Sequence, residues 1–176
     1  AGARLTVTHG ELVPGVAPAF RLSGERTGPV ELRIYRLDSE RIRTDTREGR
    51  SLFERLRAPK SGALTKIGGW TDPGFEAPGE RQVSAPAPLA PGTYLLTVTA
   101  REVSIPVLLV VHGALAIVRP DRNGGVLFLA ERTRGDPLGG IELKGYAADG
   151  HDERPLGKTD SAGVLRFDAG PRWVLG

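Results

Sequence analysis

The chain has 176 residues, no cysteine and a formal net charge of +3. Without cysteine it can form no disulfide, thiolate nucleophile or Cys-held metal site, and 39% hydrophobic with 26% charged residues suits a globular chain. No apolar run approaches the roughly 20 residues of a bilayer-spanning helix, and charges alternate in sign, as in Glu31, Arg33, Arg36 and Asp38, instead of forming the basic face of a nucleic-acid binder. Residue 1 is Ala, which reads as a processed chain or a piece of a longer one.

Glycine (24) and proline (14) fall at intervals between apolar runs, a distribution that signals many turns. Arg4 to Thr8 alternates polar and apolar residues, the period of a half-buried strand. Pro14, Gly15 and Pro18 mark a turn, and Ala19 to Ser23 reads as a second strand. In Val30 to Leu37, Val30, Leu32 and Ile34 face one way and Glu31 and Arg33 the other.

From Asp38 to Ala58 the alternation stops. Ser51 and Glu54 form a capping box, which predicts a short helix with Leu52, Phe53 and Leu56 on one face. Ser61 to Pro91 is expected to be mostly loop. Thr93 to Ala100 and Ser104 to His112 then read as a strand pair turned at Arg101-Glu102, with Tyr94, Leu96, Val98 and Ala100 inward.

The pattern restarts near His112-Gly113. Ala114 to Arg119 and Val126 to Glu131 flank Asn123-Gly124, a strong hairpin signal. Arg134 to Gly140 is a turn, Ile141 to Ala147 a strand, and Asp149-Gly150 a further turn. Leu156 to Thr159 and Val164 to Asp168 flank Asp160 to Gly163, which fits a type I turn followed by a left-handed glycine. Trp173 to Leu175 begins another strand.

Strands of four to eight residues at this spacing predict an all-β chain. The expected architecture is two consecutive antiparallel β-sandwich modules of macroglobulin, immunoglobulin or fibronectin-III type. Residues 1–112 form the first, with a helical and loop insertion over about 38–91. Residues 113–176 form the second, which reads as truncated.

Gly135-Asp-Pro-Leu-Gly-Gly140, a strand, Asp149-Gly150, Gly157-Lys-Thr-Asp-Ser-Ala-Gly163 and Val164 to Phe167 together resemble the macroglobulin-like modules of bacterial alpha-2-macroglobulins. Transthyretin-like and carboxypeptidase-regulatory-like modules share nearly the same pattern. Glu31 to Leu37, the helical stretch and Pro91 to Val98 resemble the module that precedes it in the macroglobulins. The resemblance implies a periplasmic, cell-envelope or extracellular protein that traps proteases as a whole chain, with neighbouring modules and proteases as partners. It also implies a thioester in many members, which this chain cannot carry without cysteine.

Candidate chemistry is sparse. His9, His112 and His151 have no metal-ligand spacing. Asp149, Asp152 and Glu153 lack the alternating ligand positions of a calcium loop. Serines sit in turns without a nucleophile elbow. No catalytic, cofactor or metal site is therefore expected, and the chain reads as non-enzymatic. Trp70, Phe75 and Trp173 are the aromatics that could stack on a sugar, and Trp70 and Trp173 are the candidate ligand or interface contacts. They carry the alternative function, a polysaccharide- or cell-wall-binding module of a surface protein or carbohydrate-active enzyme.

Overall fold

A computed structural model describes residues 3–38, 41, 61–121, 124–147, 153–168 and 173–175. The described chain divides into two compact units, with the change of unit between His112 and Gly113.

The first unit contains β1 (Arg4–His9), β2 (Ala19–Glu25), β3 (Gly28–Leu37), β4 (Leu64–Phe75), β5 (Gly79–Ser84), β6 (Gly92–Ala100) and β7 (Val103–Val111). They form two antiparallel sheets, ordered β1-β2-β5 and β4-β3-β6-β7. Alternation decides which face of each strand is buried. Val30, Leu32 and Ile34 of β3 point the same way as Tyr94, Leu96, Val98 and Ala100 of β6, and all are buried. They meet Leu5, Phe20 and Leu22 from the other sheet in one cluster, so the unit is a β-sandwich. Phe20, Leu22, Leu32 and Leu96 are fully buried, and each contributes roughly 1.5–3 kcal/mol of apolar transfer.

Arg101 and Glu102 turn β6 into β7, so that Ala100 pairs with Val103. Arg101 takes the positive φ of 50° that glycine or asparagine usually takes in such a turn.

The stretch 61–91 corrects the sequence reading. Besides a 3-10 turn at Ser61–Ala63, it supplies β4 and β5, two working strands of the sandwich. The inward positions of β4 opposite Ile34, Leu32 and Val30 are Gly68, Trp70 and Asp72. Only one of the three is apolar, so the alternation that marks a strand is missing. The helix expected at Ser51 to Glu54 lies outside the described residues.

The second unit contains β8 (Ala114–Pro120), β9 (Gly124–Glu131), β10 (Glu142–Ala147), β11 (Glu153–Lys158), β12 (Val164–Asp168) and β13 (Trp173–Leu175). Its sheets are ordered β12-β9-β8 and β11-β10-β13, again antiparallel. Leu127 and Leu129 of β9 and Leu165 of β12 are its buried leucines among the described residues. The strands on either side of Asp160 to Gly163 do not pair with each other. The turn is an arch that carries the chain from one sheet to the other.

Within strands, Pro73, Pro106, Pro120 and Pro155 lie in the edge strands β4, β7, β8 and β11, where a missing N–H breaks no ladder. Pro29 of the central strand β3 falls at a register shift between Gly28 and Val30.

Candidate functional site

Trp70 of β4 stands opposite Leu32 on the inner face of its sheet. It is half-buried, and its ring lies 6.2 Å from that of Phe20 at an interplanar angle of 30°. Burial against the core therefore accounts for most of this side chain. Its indole Nε1 is buried and has no hydrogen-bond partner among the described residues. Beside the ring is a cleft of about 180 Å³, lined by Ile34, Ile67, Gly68, Trp70 and the run Ala85 to Leu89. Its cause is local: Gly68 faces Ile34 without a side chain, and a Cβ there would meet nothing within 4 Å.

Phe75, the second aromatic singled out, is buried in the core of the same unit. It receives the Arg81 guanidinium over its ring at 4.8 Å. Trp173 lies in β13 of the other unit, paired with Ala147. Its side chain is outside the description.

A wider concavity of about 500 Å³ lies at the β1–β2 end of the first unit, between Thr8 and Arg21 and reaching Gln82. Val13 and Val16 are exposed there. His9 belongs to its lining and holds Nδ1 2.7 Å from the Gly10 carbonyl. Arg21 of β2 is paired with Glu80 of β5 at 3.2 Å, both side chains exposed.

The densest buried polar group serves the fold. Asp72 is buried and accepts the Gly74 N–H at 2.7 Å. Arg81 approaches it at 3.5 Å and donates to the Gly74 carbonyl. Thr27 Oγ1 accepts the Phe75 N–H at 2.9 Å and donates to the Gly28 carbonyl at 2.8 Å. Gly74 must be glycine: its φ is 80°, and a Cβ would sit 1.6 Å from the Gly28 carbonyl oxygen. These contacts fasten the β4–β5 turn to the start of β3.

The second unit has a comparable clip. Thr159 Oγ1 donates to the Leu138 carbonyl at 2.7 Å and accepts the Ile141 N–H at 3.0 Å. Gly163 takes the φ of 73° that the arch requires, and Asp160 accepts the Ala162 and Val164 N–H groups, both at 2.9 Å. Glu131 accepts the Thr133 and Arg134 N–H groups. Those bonds hold its carboxyl below the ordinary value of 4.5. On β3, the Glu31 carboxylate beside Arg33 raises the guanidinium pKa.

Among the described residues, no group of three or more histidines and carboxylates could hold a metal ion. No helix among them is long and apolar enough to cross a membrane. His112 sits at the change of unit. His151 and Asp152 lie outside the described residues.

No family model and no curated protein sequence matches the chain. Solved structures do. A crystal structure of native alpha-2-macroglobulin from Escherichia coli spanning domains MG0-NIE-MG1 matches over 96% of this chain with a TM-score of 0.63. This chain has the fold of that protein's β-domains. A second crystal structure of the same protein, spanning domains NIE-MG1, matches over 98% with the same TM-score and covers 92% of that chain. Sequence identity is 12% in both cases, so the fold is shared while few side chains are. The chain spans 58% of the length of the three-domain structure. The all-β reading and the resemblance to bacterial alpha-2-macroglobulin both hold at the level of the fold.

Proposed function

We propose that residues 1–112 and 113–176 are consecutive, non-enzymatic modules of an alpha-2-macroglobulin-like envelope protein that traps proteases as a whole chain. The observation that carries this reading is the match to the two-domain NIE-MG1 structure, nearly end to end in both chains. The polar clusters support it too. Asp72, Arg81, Thr27 and Thr159 bond to backbone groups or to each other, which is work within the fold. The partners are then neighbouring modules of the same protein, and proteases engage only the whole molecule. The compartment is periplasmic or extracellular.

A protease assay tests this. The 176-residue chain alone should leave a panel of serine and metalloproteases fully active, while the full-length protein should protect large substrates from them. Inhibition by the 176-residue chain would overturn the assignment of trapping to the whole molecule.

The Trp70 cleft favours a second reading, a module that binds polysaccharide or cell wall. Glycan-array binding that survives Trp70→Phe but is lost on Gly68→Leu, whose side chain would fill the cleft, would establish it. Silence of the unmodified chain on peptidoglycan and common polysaccharides would remove it.

A further inference from the structure

The chain contains two Asp-Pro peptide bonds, Asp72-Pro73 in β4 and Asp136-Pro137 in the turn that follows β9. Such a bond carries the means of its own scission. The aspartate carboxylate can close a five-membered ring by attacking its own backbone carbonyl carbon. The nitrogen it displaces belongs to a tertiary amide, which is more basic than an ordinary peptide nitrogen and leaves more readily once protonated. In a folded chain the reaction needs a carboxylate that can swing onto the carbonyl and a donor for the oxygen that gains charge. It also needs water to intercept the ring before the nitrogen returns.

The two bonds differ in all of these respects. At Asp72 the carboxylate is buried, accepts the Gly74 N–H at 2.7 Å and lies 3.5 Å from the Arg81 guanidinium. Turning it onto its own carbonyl would break both contacts in a place that water does not reach. Asp136 and Pro137 are exposed. The Asp136 carbonyl oxygen accepts the Glu131 N–H at 2.7 Å, so a fixed backbone donor already points at the oxygen on which negative charge would develop. Arg134 Nε stands 3.2 Å from Asp136 Oδ2, and an exposed pair of this kind offers little resistance to rotation. The backbone on either side is pinned: the Gly135 N–H donates to the Glu131 carbonyl and the Leu138 N–H to the Leu129 carbonyl, both at 2.9 Å. The scissile bond is therefore held in one geometry while the carboxylate beside it can turn.

We infer that Asp136-Pro137 is a self-cleavage site of the folded chain. A carboxylate oxygen of Asp136 attacks the Asp136 carbonyl carbon. The C–N bond to Pro137 breaks as that nitrogen takes a proton from solvent, and a cyclic anhydride remains at residue 136. Water adds to the anhydride, which restores the aspartate side chain, leaves a terminal carboxyl on residue 136 and frees Pro137 as a new amino terminus. The sum is hydrolysis of one peptide bond, with water as the sole co-reactant. It happens once per chain and acts on no other substrate, so it stands apart from the module reading.

Intact-mass spectrometry of the 176-residue chain tests this, at the lowest pH at which circular dichroism keeps the native strand spectrum. Fragments 1–136 and 137–176 should accumulate about tenfold or more faster than fragments 1–72 and 73–176, and terminal sequencing should find Pro137 first. In urea the two rates should converge, because the burial of Asp72 and the Glu131 donor are lost together. Asp136→Asn should end cleavage after residue 136. Asp136→Glu, which must close a six-membered ring, should slow it by about tenfold. Equal rates at the two bonds in the folded chain, or an excess at Asp136 that persists in urea, overturns the inference. Cleavage undiminished by Asp136→Asn overturns it as well, since the carboxylate would then not be the nucleophile.

Discussion

In the first unit, strands from both sheets close on a cluster that runs from Leu5 through Phe20, Leu32 and Leu96 to Val111. In the second, the same wiring encloses, among the described residues, Leu127, Leu129, Ala130 and Leu165. The pairing order of their first six strands is therefore not what separates them. The difference lies in how many inward side chains the wiring brings to the middle. Among the described residues it is largest at β7, whose Leu109 and Val111 join the first unit's cluster.

The strongest way to break the comparison is to unfold one unit and watch the other. Gly74→Ala forces a Cβ into the Gly28 carbonyl and strains a φ of 80°. The expected loss is about 4 kcal/mol or more. Two-dimensional NMR should show the first unit's resonances collapsing while those of β8 to β12 stay dispersed. Collapse of both would mean that the units fold as one.

A smaller effect sharpens the contrast. Leu96→Ala, in the dense core, is expected to cost about 3–5 kcal/mol, and Leu127→Ala about 2–3 kcal/mol, because a less enclosed site collapses more easily around the gap. Urea unfolding of each variant measures both. A reversed order would show the second core to be the tighter one.

Thr159→Val keeps the shape but strands the Ile141 N–H and the Leu138 carbonyl. About 1–3 kcal/mol should be lost, from the second unit's transition alone. The smallest effect is one of pH. The Thr133 and Arg134 amides lower the Glu131 pKa below 4.5 in the folded state. Its contribution to stability is therefore present above the unfolded value and is lost as pH falls through the folded one. An NMR titration should place Glu131 below 4.5, and Glu131→Gln should flatten that part of the acid stability curve. A titration at or above 4.5 would contradict the bonds at the start of this turn.

The strands that the sequence makes legible are those with two kinds of signal. β3 and β6 alternate cleanly, and the turns at Arg101-Glu102 and Asp160 to Gly163 bound their neighbours. β4 was hidden because Gly68 and Asp72 stand where apolar residues would announce an inner face. The repeat of wiring was hidden for another reason. It lives in hydrogen-bond partners between distant strands, and the two units spell those strands with different residues. Trp70 is legible as one of two tryptophans, but its packing on Phe20 depends on a pairing of β4 with β3 that no local pattern encodes.

The strand prolines acquire a wider meaning where two β units share one chain. Linked domains face one another at effective concentrations that reach the millimolar range for short linkers, where any bare β edge invites sheet-to-sheet fusion. Pro73, Pro106, Pro120 and Pro155 interrupt four such edges, and exposed Arg4, Glu80 and Arg166 place charge on β1, β5 and β12. Trp173 to Leu175 has neither device. Among the described edge strands, β13 alone is left without such a guard.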